Sequence, residues 1–174
     1  MHRFTQLTSI VLLFSLSQLF FGCSFSQTPS VEKEKIPIWV NNPTFKDNIN
    51  SIASSTIDSE NFTVLRDDAY KNSIISLQKN IEFKISTFIK SNSQQKDIKT
   101  LVGNITKESL KKSKILKLFQ DKNHKVFVLR SISTDIVIKN IKEHAQQLQD
   151  QTLYQTILLN INNGNLKYHL QNTN

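Results

Sequence analysis

The chain has 174 residues with 22 lysines and arginines against 14 acids, a formal charge of +8. This length suits a single domain with its own apolar core. One cysteine excludes a disulfide framework, and three glycines are too few to build a glycine-rich phosphate-binding loop.

The first 22 residues have the order of regions found in a cleaved export signal. A basic start at His2 and Arg3 precedes an apolar run from Leu7 to Phe21, and Gly22 then precedes Cys23. As a helix the run would rise only about 22 Å, which is too short for a hydrocarbon core of roughly 30 Å. An ordinary secretory signal would leave Cys23 as an unpaired thiol. We therefore predict a lipoprotein signal peptide at residues 1–22 and lipid on Cys23.

Residues 23–35 are predicted to form the lipidated N-terminus and a flexible tether. The segment is polar and contains Pro29 and the alternating charges Glu32-Lys33-Glu34-Lys35. More than one acyl chain on Cys23 would anchor the protein stably, since each buried methylene contributes about 0.8 kcal/mol. Because Ser24 follows the cysteine instead of an aspartate, we expect the outer membrane.

The domain is predicted to begin at Ile36 and to end at residue 162. Trp39, the only tryptophan, should be a core anchor because of its large apolar area. A short strand is predicted over Ile49–Thr56. Apolar residues three to five positions apart then predict a long helix over Asn61–Lys90, and similar spacing predicts a second helix over Gln95–Thr106.

The second half of the domain is predicted to start with a β-hairpin. Its strands are Ser113–Gln120 and Lys125–Ser133, joined by a polar four-residue turn. In the second strand, one predicted face carries Val126, Val128, Arg130 and Ile132, and the other carries Phe127, Leu129 and Ser131. A helix capped by Ser133 or Thr134 should follow. The fold class is thus α+β, a long helix packed on a small antiparallel sheet with a C-terminal hairpin followed by a helix.

The C-terminal segment allows two interpretations. Helical spacing continues from Leu153 to Ile161, and Asn163-Gly164 is a typical helix end. The apolar stripe of this segment could mediate self-association or partner binding, or it could fold back on the domain. Residues 163–174 are predicted to be a frayed tail.

No catalytic or metal-binding constellation is predicted. His124 falls in the hairpin turn, His144 on an exposed helix face and His169 in the predicted tail, so a converging triad is not expected. Asp67 and Asp68 should point to different helix faces, which suits solvation and the positive end of the long helix. We expect no enzyme activity, no metal and no cofactor.

The excess positive charge has three possible explanations: a solvated surface, binding to anionic head groups, or binding to nucleic acid. The densest lysine cluster is interleaved with apolar residues and is typical of a solvated surface; its members are Lys107, Lys111, Lys112, Lys114 and Lys117. For a lipid-tethered protein, anionic head groups are the next possibility. Nucleic acid is not expected, because the strand Lys125–Leu129 lacks the glycines and paired aromatic residues of an RNA-binding strand.

Several short motifs resemble the LPP-twenty lipoprotein family of small bacterial outer-membrane proteins. They are Pro37-Ile38-Trp39, the strand at Ile52-Ala53-Ser54, Asp68-Ala69 near the start of the long helix, and Lys125-Val126-Phe127-Val128-Leu129. The resemblance spans roughly residues 36–142. It implies a small α+β domain with a surface or cell-envelope role and supplies no catalytic residues.

Three functions remain open at this point. The first is a structural or protein-interaction lipoprotein of the outer membrane, bound to the membrane through Cys23 and to a protein partner or a second copy. The second, implied by the resemblance, is a flagellar or motility-associated envelope lipoprotein. The third is a module that binds a small ligand or glycan in a pocket lined by Trp39 or Tyr70.

Overall fold

A computed structural model of the protein describes residues 31–32, 36–92, 98–148 and 150–173. The predicted signal peptide and Cys23 lie outside these residues. The described part has the predicted α+β class, with a long helix packed on an antiparallel sheet and a hairpin followed by helices.

The predicted strands and helices occur in the predicted order, and Val31–Glu32, Ile38–Asn41 and Asn165–Asn172 form three further elements. The second predicted helix ends at Leu110 and not at Thr106, and its predicted start at Gln95 lies outside the described residues. The strands are β1 (Val31–Glu32), β2 (Asn48–Ser54), β3 (Lys114–Gln120) and β4 (Val126–Ser133). The helices are α1 (Ile38–Asn41), α2 (Phe62–Asn92), α3 (Lys99–Leu110), α4 (Thr134–Ala145), α5 (Gln151–Asn162) and α6 (Asn165–Asn172).

The sheet has the order β1-β3-β4-β2, and β4 pairs antiparallel with both β3 and β2. The predicted hairpin β3–β4 is confirmed. In its turn, one carboxylate oxygen of Asp121 accepts hydrogen bonds from the backbone N–H groups of Asn123 and Lys125, at 2.9 and 2.8 Å. β1 adds only two residues, which pair parallel with Leu118 and Phe119. Two residues of the predicted flexible tether are therefore part of the sheet edge.

One face of the sheet packs against the start of α2. Val126 and Val128 of β4 and Leu118 of β3 are buried against Leu65 and Ala69 of the helix. The predicted alternation of β4 is correct, because the residues on this face are those that the period-two pattern groups together. Arg130 lies on the same face and donates hydrogen bonds to the hydroxyls of Ser73 and Ser113.

The opposite face of the sheet is covered by the chain that precedes β2. Trp39 packs there against Phe119 and Leu129, with Phe45 and Ile52 at the margin of the cluster. Only 6% of Trp39 is exposed, so its prediction as a core anchor is confirmed. It lies on the side of the sheet away from α2, because Phe119 and Leu129 alternate with the residues that face the helix.

The largest core lies between the second half of α2 and the helices α3 to α6. Ser133 caps α4 as predicted, since its hydroxyl accepts a hydrogen bond from the backbone N–H of Asp135. Leu153 and Ile157 of α5 are fully buried in this core. The segment Leu153–Ile161 therefore folds back on the domain, and the interpretation that its apolar stripe is left over for self-association is wrong.

The prediction of a frayed tail over residues 163–174 is also wrong. Gly164 adopts a left-handed conformation, with φ of +78°, and ends α5 as predicted, but a new helix begins directly after it. Leu166 and Leu170, four positions apart on α6, are fully buried in the main core. The domain extends at least to residue 172, because this pair gives a short helix enough apolar surface to dock.

Candidate functional site

A row of polar side chains on α2 lies along the free edge of β2. We call it the polar stripe: Asp68, Asn72, Ser76, Asn80 and Lys84, each four positions after the last. The amides of Asn72 and Asn80 donate to the backbone carbonyls of Ser54 and Asn50, at 3.1 and 2.8 Å. Between them, the Ser76 hydroxyl donates to the carbonyl of Ile52 at 3.3 Å.

The repeat of the polar stripe matches the repeat of the strand. Four helical residues rise about 6 Å, and two strand residues advance about 6.8 Å, so successive donors meet successive outward carbonyls. An unpaired edge strand is a template for pairing with another chain. The polar stripe occupies three successive outward carbonyls of this edge.

Asp68 begins the polar stripe where β2 ends. Its carboxylate accepts hydrogen bonds from the backbone N–H of Thr56 at 2.6 Å, from the Thr56 hydroxyl at 3.1 Å and from the Asn72 amide at 3.2 Å. The Thr56 N–H, followed by the other donors, lowers the pKa of Asp68. The predicted helix-dipole role is wrong for both aspartates, since Asp67 and Asp68 fall in the second turn of α2, where the dipole effect has faded. Asp67 instead pairs with Arg66.

Lys84 is the last residue of the polar stripe and joins α2 to α6. Only 4% of the residue is exposed, and its ammonium donates to the backbone carbonyl of Thr173. No carboxylate pairs with Lys84 among the described residues. Burial therefore lowers its pKa, since a charge removed from water is disfavoured without a counter-ion.

His169 completes the contact between these helices. Its Nε2 lies 3.0 Å from the backbone carbonyl of Lys84, and its Nδ1 lies 3.2 Å from the Thr173 hydroxyl. A carbonyl can only accept, so Nε2 carries the proton and Nδ1 accepts from Thr173 when the ring is neutral. His169 is a structural residue of α6 and not a member of a mobile tail.

A cleft of about 320 Å³ opens beside the C-terminal end of the polar stripe, at Asn80 and Lys84. We call it the amide cleft, because its walls include the side-chain amides of Asn48, Asn50, Asn80, Gln171 and Asn172 together with Lys84. Asp47 at its rim is held by Gln171 at 3.0 Å and by Lys167 at 3.3 Å, which lower the pKa of its carboxyl. This cleft was not predicted from the sequence, in which its one signal is the four-residue polar repeat of α2.

A second concave surface surrounds the point at which the chain enters the domain. We call it the N-terminal face, formed by Ile36, Ile38, Trp39, Phe45 and Lys117. A groove of about 460 Å³ is lined by four of these residues together with Pro37, Asn42 and Thr44. Ile38 is 83% exposed and Ile36 is 57% exposed, and the Lys117 ammonium lies 5.8 Å from the centre of the Phe45 ring.

The two aromatic residues predicted as alternative linings of a ligand pocket do not meet, although Trp39 lines the groove of the N-terminal face. Trp39 and Tyr70 lie on opposite faces of the sheet, Trp39 against Leu129 and Tyr70 beside Leu65. Tyr70 borders the core as expected, with the Arg66 guanidinium 5.7 Å from its ring centre. A pocket lined by both aromatic residues is therefore excluded.

The three histidines considered for a catalytic triad stay apart. His124 lies in the β3–β4 turn, His144 in α4 and His169 in α6. In the part of the chain that the structure describes, no group of three potential metal ligands converges, and no helix is both long and apolar enough to cross a bilayer.

The lysines of the predicted cluster are exposed and lie on two elements and on the turn between them. Lys107 is on α3, Lys111 and Lys112 follow that helix, and Lys114 and Lys117 are on β3. Lys111 pairs with Glu108 at 2.7 Å. The prediction of a solvated surface is confirmed for these side chains, and Lys117 also lines the groove of the N-terminal face.

No protein-family model matches the chain, and no curated protein matches it either. The resemblance to the LPP-twenty lipoprotein family depends on the short motifs given above.

Proposed function

We propose that this protein is a lipoprotein of the bacterial outer membrane with a structural or protein-interaction role. Its lipid anchor would be Cys23, and its α+β domain would act without catalysis. The resemblance to LPP-twenty lipoproteins supports an envelope role and keeps a flagellar or motility-associated function as the alternative.

The observation that carries this proposal is the pairing of Gly22 with the single cysteine at the end of a short apolar run. A run of this length fits a cleaved signal better than a membrane span. The fold agrees with an anchor at this end, because the described chain begins at the edge strand β1 and then enters the exposed N-terminal face.

Metabolic labelling with palmitate tests the anchor in cells that express the full chain. We expect label on the wild-type protein and on the matched control Ser24→Ala, and membrane fractionation with outer-membrane markers. Cys23→Ser should lose the label and accumulate as the uncleaved precursor. Label that persists on Cys23→Ser, or recovery of the wild type only with inner-membrane markers, would contradict the proposal.

The amide cleft favours a second candidate function, the binding of a small polar ligand. Its volume is at the lower end of the range for ligand sites, and among the described residues the buried ammonium of Lys84 has a backbone carbonyl as its partner and no carboxylate. A ligand that carries a carboxylate next to a hydrogen-bond donor would give the Lys84 ammonium a negatively charged partner and would donate to the amide oxygens of the cleft.

Titration of the chain from Ser24 onward with N-acetylglycine tests this second candidate. Saturable changes in the side-chain amide resonances of Asn80 and Gln171 would support it, particularly if sodium acetate, which has no donor, produced weaker changes. Lys84→Met should abolish the response and the exposed control Lys90→Met should keep it. Equal responses in both variants would exclude the amide cleft as the site.

A further inference from the structure

The N-terminal face presents apolar side chains to solvent beside the predicted membrane anchor. Ile38 is the most exposed large apolar residue that the structure describes, and Ile36 lies two positions before it. The intervening Pro37 has an extended backbone, which lets α1 project Ile38 outward while Trp39 turns into the sheet. Exposed apolar groups that adjoin one another, beside a groove, are typical of a contact surface.

The same side of the sheet carries positive charge. Lys117 lies over the Phe45 ring and Lys125 lies over the Phe127 ring at 5.7 Å, and both rings border the cluster that contains Trp39. Both lysines are exposed. Lys117 thus lines the apolar groove and Lys125 lies on the same side of the sheet, an arrangement that matches a surface with an apolar interior and anionic head groups.

The length of the tether limits where this surface can lie. Val31 is fixed to the sheet edge beside Leu118, and it follows Cys23 by eight residues. A fully extended chain of that length spans at most about 28 Å. Lipid on Cys23 would therefore hold the β1–β3 edge of the sheet within that distance of the bilayer surface.

We propose that the N-terminal face lies on the bilayer, with Ile36 and Ile38 among the head groups and with Lys117 and Lys125 against anionic phosphates. This inference rests on the proposed function, because it needs the lipid on Cys23. A lipid anchor with an apolar and basic patch gives two attachments, so the domain is oriented as well as tethered. The helices α3 to α6, which pack away from this side of the sheet, would then face the aqueous phase and any protein partner.

Trp39 is a built-in probe of this orientation, since it is the only tryptophan and lines the groove. The mature lipidated protein is reconstituted in phosphatidylcholine vesicles with a minor fraction of phosphatidylglycerol, and Trp39 fluorescence is compared between brominated and unbrominated acyl chains. We expect clear quenching by the brominated lipid. Quenching should weaken at high salt and without phosphatidylglycerol, because exposed charges are screened within a Debye length.

Two variants distinguish membrane contact by the N-terminal face from attachment by the lipid on Cys23. Ile38→Asp should lose most of the quenching and Lys117→Gln should lose its dependence on phosphatidylglycerol. The control Leu159→Asp, at a residue of α5 that is 64% exposed, should behave as wild type. Circular dichroism checks that each variant is folded.

The possible failures are distinguishable. Unquenched Trp39 in a protein that is acylated and bound to vesicles, or quenching that is equal in Ile38→Asp and Leu159→Asp, would overturn this inference and leave the proposed function intact. A mass spectrum that shows no lipid on Cys23 would overturn both.

Discussion

Removing an amide from the polar stripe should destabilise the domain by an amount that can be worked out from the structure. Asn80 donates to the Asn50 carbonyl at 2.8 Å, and both residues are half-buried at the amide cleft. A neutral hydrogen bond contributes about 0.5 to 1.5 kcal/mol net. Water can enter the cleft and replace part of the lost bond, so we expect the loss of this hydrogen bond in Asn80→Ala to cost about 1 kcal/mol before helix propensity is counted.

Helix propensity acts in the opposite direction and needs a matched control. Alanine is favoured over asparagine in a helix interior by roughly 0.6 kcal/mol, which would hide much of the loss. Asn104 lies exposed in the middle of α3. Asn104→Ala therefore gains the same helix propensity but loses no hydrogen bond to β2. The free energy of unfolding of Asn80→Ala should therefore fall below that of Asn104→Ala by about 1 kcal/mol.

A double variant tests whether the stripe acts along its whole length. Asn72 and Asn80 are about 12 Å apart along α2, far enough for their effects to add. Once the propensity gain of Asn104→Ala is counted twice, Asn72→Ala/Asn80→Ala should lose about 2 kcal/mol, measured by urea unfolding of the chain from Ser24 onward and followed by circular dichroism. If Asn80→Ala and Asn104→Ala unfold at the same urea concentration, the stripe does not stabilise the β2 edge.

Three further outcomes are expected. Trp39→Ala should cost about 3 to 5 kcal/mol in denaturant unfolding because it empties a buried site, and a cost below about 1 kcal/mol would mean that the ring is exposed in solution. Truncation before Asn165 removes the buried Leu166 and Leu170, so it should lower the unfolding midpoint by several degrees; an unchanged midpoint would show that α6 does not dock. Asp68 has a lowered pKa in the folded state, so the stability it contributes should be complete above about pH 3.9 and should be lost as the pH falls through the folded-state pKa. Asp68→Asn should therefore reduce the dependence of the urea midpoint on pH across that range. If the urea midpoint falls with pH equally in both proteins, the role of the bond from Thr56 to Asp68 is refuted.

The elements with long apolar periodicity could be predicted from the sequence. α2 and the strand β4 were identified because their apolar residues repeat at 3.6 and 2 positions over many residues, and each buries the stripe that its period defines. The cap of α4 was identified because Ser133 has both a suitable side chain and an apolar period after it.

The tail could not be predicted in the same way. α6 has eight residues and only two fully buried leucines, too few for a periodic signal, and Gly164 is equally typical of the end of a domain. The orientation of α6 depends on contacts that are distant in sequence, such as Lys84 with Thr173.

The polar stripe shows a different limit of sequence reasoning. Its four-residue repeat from Asp68 to Lys84 is visible in the sequence, but a polar face of a long helix is normally solvated. Only the position of β2, brought alongside α2 by the fold, gives these side chains carbonyl partners. The N-terminal face was missed for a related reason, because the exposure of Ile36 and Ile38 depends on which side of α1 meets the sheet.

Both proposals depend on Cys23 being the lipid-bearing N-terminus of the mature protein. Mass spectrometry of the N-terminal peptide, from protein purified out of the membrane fraction, tests this point. We expect a peptide that begins at Cys23 and carries the added mass of a diacylglyceryl group, with or without a further acyl chain. A peptide that begins upstream of Cys23, or one that begins at Cys23 with an unmodified thiol, would contradict it.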